Sequence, residues 1–294
     1  MAGIAAYELL DVADAEESFR TALTLGRRTG LHSHAARLAG ALLGSLLYDK
    51  GDVNTAEQLL DHANELGAEG GVVDMMLATY GVGSRIKVLR GDLSAAAIRL
   101  DEGAAAAAKL QLRRLDKCIS NERIRAGLPL DPTTRARLRH ARPRELGRDG
   151  ITEVCSQLDE DSTIRLLLAD GSNTAIAEAL ARSRAMVGRV AQQGRPRALL
   201  AWKGLEVCCL AATGRLEEAE RSIASVVSRC ASLGLPRILL DAGGQISGVL
   251  SMLLTDVHAG SPWLQEWPDV TASFLLDTLE GGSNVRGGGD SGRT

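Results

Sequence analysis

Aromatic side chains are scarce in this chain, 3 % of 294 residues, and Val, Ile, Tyr, Phe and Thr never alternate with polar residues for long. That pattern excludes a credible β-sheet. Lysine is nearly missing: Lys50, Lys87, Lys109, Lys117 and Lys203 are the only five among 34 basic residues. A net charge of −3 gives no bulk attraction to nucleic acid or to an anionic membrane. Five cysteines, an odd number without C-x-x-C spacing, point to reduced thiols in a cytoplasmic protein. No apolar run approaches the roughly 20 residues of a membrane span. The opening MAGIAAYELLDVADAEE has no basic start and turns acidic at once, unlike a secretory leader. Chemistry-bearing motifs are missing too. There is no H-E-x-x-H or Cys/His cluster for a metal, no G-x-S-x-G elbow, no phosphate-binding G-x-x-x-x-G-K, and neither D-F-G nor H-R-D. No catalytic residue, cofactor or metal is expected, and the chain reads as non-enzymatic.

What is plentiful is Ala, Leu, Arg and Glu, whose side chains lose little freedom in a helix. One phrase also recurs: GDVNTAEQLLDHANELG at 51–67 and GRLEEAERSIASVVSRCASLG at 214–234. Five and nine residues after Gly51 stand Ala56 and Leu60; after Gly91, Ala96 and Leu100; after Gly214, Ala219 and Ile223. Leu10 begins the same pattern with Ala15 and Phe19, and Gly171 with Ile176 and Leu180. A further copy would fall near Asp131, where Pro129 and Pro132 are expected to disrupt it. Each landmark has a mechanical reason. The glycine ends one helix in a left-handed turn, and Asp caps the next. The small residue then lets two helices approach, and the bulky one follows on the same face. Leu25-Gly26, Leu66-Gly67 and Leu233-Gly234 look like closing caps. First helices are expected over 33–49, 72–89, 113–126 and 196–213. Since a lone hairpin cannot bury its apolar stripe, the hairpins must stack.

The expected architecture is therefore all-α, a right-handed α-solenoid of about five or six helical hairpins. Residues 1–126 form N-terminal repeats, 127–150 an Arg/Pro-containing linker or degenerate repeat, and 151–280 C-terminal repeats with closing helices at 237–258 and 268–280. Residues 281–294 read as a disordered, Gly-rich tail. Trp263 and Trp267 are placed over the end of the stack.

Functional candidates are sparse. Polar or aromatic residues on first helices would line a concave face, which nominates Arg85, Asn121, Arg125, Trp202 and Glu206 as a binding surface. Bracing of that face is the plainer role for the same residues. Adjacent Cys208 and Cys209 point about 100° apart on a helix and suit packing, not a disulfide. Gly81 and Gly83 begin a dinucleotide-like run, but no third glycine stands in register after them and no strand precedes it. Arg135, Arg137, Arg139, Arg142, Arg144 and Arg148 crowd into one stretch without aromatics to stack bases, which argues against nucleic acid.

SNTAIAEALARSRAMV, residues 172–187, resembles the helix-turn-helix core of LuxR-type regulators, with 184–190 as its recognition helix. The same residues satisfy the repeat register. The phrases at 51–67 and 214–244 resemble the helical sensor region of MalT-like regulators, and LPRILLDAG at 235–243 is similar to the stretch after the last repeat there. AAYELLDVADAEESFRTALTLGRRTG and LDEDSTIRLLLADG look most like the C-terminal part of actinobacterial serine/threonine protein kinase K. The resemblance covers most of residues 1–255. It implies a tetratricopeptide-like regulatory region that binds a protein partner or small-molecule effector and tunes attached kinase and ATPase domains. No kinase or ATPase residue carries over, because no position here matches those motifs. The alternatives are a DNA-binding regulator of the LuxR/MalT-like type and a plain protein–protein scaffold.

Overall fold

The computed structural model describes residues 2–28, 33–65, 67, 72–140 and 150–283. Every regular element among them is helical. The repeat landmarks explain the local geometry. Backbone φ is positive at each expected origin: 64° at Leu10, 87° at Gly51, 78° at Gly91, 75° at Gly171 and 77° at Gly214. Leu10 adopts this conformation without being glycine, and burial of its side chain offsets the steric cost. The residue after the turn then caps the next helix in every case but that of Gly214, where Arg215 makes no side-chain cap. Asp52 accepts from the Thr55 amide at 3.1 Å, Asp92 from that of Ala95 at 2.8 Å and Ser172 from that of Ala175 at 3.3 Å.

The chain forms two compact units. The first comprises residues 1–7, 11–48 and 52–166. It contains α1 (Ala2–Glu8), α2 (Val12–Arg28), α3 (His34–Asp49) and α4 (Val53–Glu65). Helix α5 runs Val73–Met76, widens into a π-helical stretch at Leu77–Val82 and continues as Gly83–Leu89. It is followed by α6 (Leu93–Leu110), α7 (Arg113–Arg125), α8 (Pro132–Arg139) and most of α9 (Gly150–Asp170). Ala15, Ala56 and Ala96 are fully buried, as are Leu60 and Leu100 four residues beyond the latter two. Ala15, Ala56, Leu60 and Leu100 meet Tyr48, Met75, Met76, Ile86 and Leu115 in one core.

The second unit comprises residues 8–10, 49–51 and 167–294. It contains α10 (Asn173–Gln192), α11 (Pro196–Ala212), α12 (Leu216–Leu233), α13 (Pro236–Leu240), α14 (Ile246–Ala259), a 3₁₀ turn at Pro262–Glu266, and α15 (Ala272–Ser283). Neighbours α10, α11 and α12 pack in sequence. Ala219, Ile223, Val227, Cys208 and Cys209 are buried there, and neither cysteine is in a disulfide. Trp263 donates from its indole nitrogen to Asp256 at 2.7 Å.

Several local expectations are corrected. Gly26 is not a cap: it lies inside α2, and a Cβ there would stand 2.6 Å from the Ala36 nitrogen. It permits close approach of α2 and α3. Gly67 and Gly234 do carry the left-handed φ of a cap, 72° and 65°; Leu66 lies outside the described residues. Pro132 starts a helix instead of disrupting one. It sits in the first turn, where a missing N–H costs nothing, behind the Asp131 cap, which accepts from Thr134 at 2.8 Å. In the copy at Gly171 Leu180 is buried as expected, beside Ala179, but the small buried residue is Ala175, one place early, and Ile176 is half-buried. The helix expected at 237–258 breaks after Leu240, where Gly243 passes so close to Cys208 that an added Cβ would sit 3.0 Å from its sulfur. Helix α15 reaches Ser283, so the first three residues of the expected tail are helical; 284–294 lie outside the described residues.

Candidate functional site

Three first helices of the first unit, α5, α7 and α9, carry charged side chains at matching heights. Glu122 and Arg125, three residues apart on α7, share a face, as do Asp161 and Arg165, four apart on α9. Partners on neighbouring helices are separated by 36 to 41 residues, about one repeat. Arg85 on α5 grips Glu122 with both arms of its guanidinium. Its Nε donates to Oε2 at 2.8 Å and its Nη2 to Oε1 at 2.5 Å. Arg125 stands 3.6 Å from Glu122 and 3.8 Å from Asp161, between the two carboxylates. Arg165 donates to Asp161 at 2.7 Å. Asn121 closes the cluster, donating to Asp161 at 2.5 Å and to the Ser162 hydroxyl at 3.0 Å.

Small residues make this approach possible. A Cβ at Gly81 would lie 3.1 Å from the Cys118 sulfur, and one at Gly83 would run into the Arg99 side chain. The two glycines that open a dinucleotide-like run are packing residues. Burial, with the Glu122 charge beside it, pushes the Cys118 thiol up to about 12. That thiol is no nucleophile at neutral pH.

Glu122 is almost wholly buried, with 3 % of its side chain exposed, against 28 % for Arg85. Over Arg85, Glu122, Arg125, Asp161 and Arg165 the charge is three positive and two negative, a surplus of one cation. Burial works against ionised Asp161, but the Arg165 and Arg125 charges and the hydrogen bonds from Arg165 and Asn121 outweigh it and hold the carboxyl at about 2. Burial, then repulsion from Arg165 and Arg85, moves Arg125 below the usual arginine range. Because Asp161 titrates lower folded than unfolded, where an Asp lies at about 3.9, it stabilises the fold above the unfolded value. That stabilisation is lost as pH falls towards 2. Asp161→Asn is expected to lower neutral-pH stability by about 2 kcal/mol and to flatten the stability profile between about pH 5 and 2. Chemical denaturation across that range checks this; parallel profiles for the two proteins would count against it.

A second set of ion pairs ties α4, α5 and α6. Lys87 donates to Glu57 and to Asp61, each at 2.8 Å, and Arg99 donates to Asp61 at 2.5 Å. This set serves as a staple between successive hairpins.

Of the five nominated residues, Arg85, Asn121 and Arg125 come together in the first unit. Trp202 and Glu206 lie on α11 in the second. Trp202 is buried, and Glu206 faces Arg184 at 3.4 Å. Sequence alone does not nominate Glu122, Asp161, Ser162 and Arg165, whose only signal is their offset by one period from the residues named.

Residues 173–192 form one uninterrupted helix, α10, so the helix-turn-helix reading lacks its turn. Arg184 is engaged by Glu206 and, at 2.5 Å, by Glu218. In the Arg-rich stretch, Arg135, Arg137 and Arg139 lie on α8, with Arg137 at 3.2 Å from Asp159. Arg142, Arg144 and Arg148 lie outside the described residues. Among the described residues no group of three His, Cys, Asp or Glu could hold a metal ion, and no helix is long and apolar enough to cross a membrane.

The family model of the MalT-like TPR region matches residues 10–256. Serine/threonine-protein kinase PknK of Mycobacterium tuberculosis and its counterpart in Mycobacterium bovis are each 45 % identical to this chain over 242 residues. The matched span is 82 % of this chain but 22 % of either kinase, so the chain corresponds to a minor part of those relatives' length.

Proposed function

The chain belongs to the family of MalT-like TPR regions, and from that premise we propose that it is a non-catalytic regulatory segment of a kinase-associated signalling protein. Its work is to hold a protein partner or small-molecule effector and, through that contact, to tune an attached kinase or ATPase. The observation that carries this reading is the 45 % identity to PknK across 242 residues of a helical-repeat region. Repeat stacks of this kind supply extended surfaces, not reactive groups. The gathering of Arg85, Arg125 and Arg165 on successive first helices supports a contact with an acidic partner, since a guanidinium pairs with carboxylates in a fixed fork. The cytoplasm is the compartment for such a protein.

The test uses PknK with its matched region deleted, and a chimera in which this chain replaces that region. Phosphate transfer to a protein substrate is expected to change on deletion and to return towards the intact rate in the chimera. Equal rates for intact and deleted kinase would sink the regulatory reading.

A further inference from the structure

In the second unit α12 packs against α14. One face of α12 runs through Glu220, Ala224 and Val227, four and then three residues apart, and the last two are fully buried. Glu220 interrupts this apolar seam with a carboxylate that is 9 % exposed. Its Oε1 is buried without a hydrogen-bond partner among the described residues. Such a place penalises an ionised acid, because nothing replaces the water it has given up. The surrounding charges add to the penalty. Asp256 acts on Glu220 from α14, and Glu217 does so from three residues earlier on α12; Arg221, exposed at the next position, opposes them. Among the described residues these three are the charges that bear on it. Burial, then repulsion from Asp256 and Glu217, pushes the Glu220 carboxyl above the ordinary glutamate range. Asp256 is itself held in place. Its carboxylate accepts the Trp263 indole N–H at 2.7 Å, and its carbonyl accepts the Ser261 amide at 3.1 Å. The residue that repels Glu220 is thus the one that ties α14 to the 3₁₀ turn after it.

We propose that Glu220 is a proton-sensitive joint between α12 and the end of α14. With its proton on, the side chain is a neutral donor that the apolar seam accommodates. With its proton off, like charges oppose each other across the two helices, and α14 with its 3₁₀ turn opens more often. The sign follows from a titration raised by folding: Glu220 supports the packed seam below its unfolded value and withdraws that support as pH rises through the folded one. The joint shares no residue with the Arg85 cluster, and it holds or fails independently of any kinase.

Glu220→Gln keeps the shape of the side chain and removes its titration. Hydrogen exchange of the purified chain, compared between parent and variant at one pH so that the intrinsic dependence on hydroxide cancels, reads the opening of α14 and of Pro262–Glu266. At about pH 7.5 these amides should exchange at least about threefold faster in the parent, and at about pH 4 the two proteins should match. Thermal unfolding should agree, the variant melting about 3 °C higher than the parent at about pH 7.5 and alike at about pH 4. Asp256→Asn, which keeps an acceptor for Trp263, removes the repulsion without touching Glu220 and should recover part of the protection at neutral pH. The proposal is overturned if Glu220→Gln and the parent differ equally at both pH values, which marks packing alone, or do not differ at either. Should Glu220→Gln fail to fold, Asp256→Asn decides: no gain in protection at neutral pH overturns the proposal too.

Discussion

Arg85→Met is expected to cost the first unit about 3 kcal/mol, at the low end of the range for breaking a buried ion pair because Arg85 itself is partly exposed. Methionine keeps much of the length and bulk of the side chain, so packing loss is small. What is lost is the two-armed grip on Glu122, whose carboxylate stays 3 % exposed with Arg125 as its remaining neighbour at 3.6 Å. A buried carboxylate without full hydrogen bonding is costly whatever else happens around it. The diagnostic companion is Arg85→Met/Glu122→Leu. Replacing both partners with apolar groups of similar volume removes the stranded charge, so the double variant should recover most of the loss. Urea denaturation of the four proteins gives the coupling directly. A single-variant loss below about 0.5 kcal/mol would mark the pair as an ordinary surface bridge.

Gly26→Ala is the second large effect, and its sign is informative. Inside a helix, alanine is intrinsically favoured over glycine by about 1 kcal/mol. Here the new Cβ would lie 2.6 Å from the Ala36 nitrogen and 2.8 Å from its Cα, and a backbone cannot swing aside as a side chain can. Helices α2 and α3 must separate, disturbing Ala36 and the hydrogen bond from the Ser33 hydroxyl to the Gly26 carbonyl. A net loss of about 2–3 kcal/mol is expected, the usual scale of overpacking. Gly40→Ala, inside α3 where the added carbon meets only ordinary contacts, is the control and should stabilise by up to about 1 kcal/mol. If Gly26→Ala stabilises the protein, the helices are not in the close contact described.

These two sites also mark how far the fold is legible in the sequence. The left-handed turns at Leu10, Gly51, Gly91, Gly171 and Gly214 arise from a local rule, a chain reversal ahead of the next helix, and the spacing exposes them. Gly26 obeys another rule, close approach between helices, yet its Leu-Gly dipeptide looks identical to the cap at 233–234. Local sequence does not distinguish the two. Pro132 misleads for a related reason: proline interrupts a helix interior but suits a first turn, and only the position of the Asp131 cap decides which applies. The charged cluster lies beyond local rules altogether. Arg85, Asn121 and Arg125 can be nominated as polar residues on first helices, but their partners Glu122, Asp161 and Arg165 depend on the stagger of neighbouring helices. Trp202 shows the converse, an aromatic that reads as surface and is core.

That stagger has a source in α5. The wide turn at Leu77–Val82 accommodates one residue more than an α-helix of the same rise, and it stands immediately ahead of Arg85. Each residue swings a helix by about 100°. Winding the same residues as a plain α-helix would turn the guanidinium about 100° away from α7, without changing any side chain of the cluster. Whether Arg85 reaches Glu122 thus depends on how the turn ahead of it is wound, and a chain one residue shorter in that stretch would keep the pair in register by winding it as ordinary α-helix.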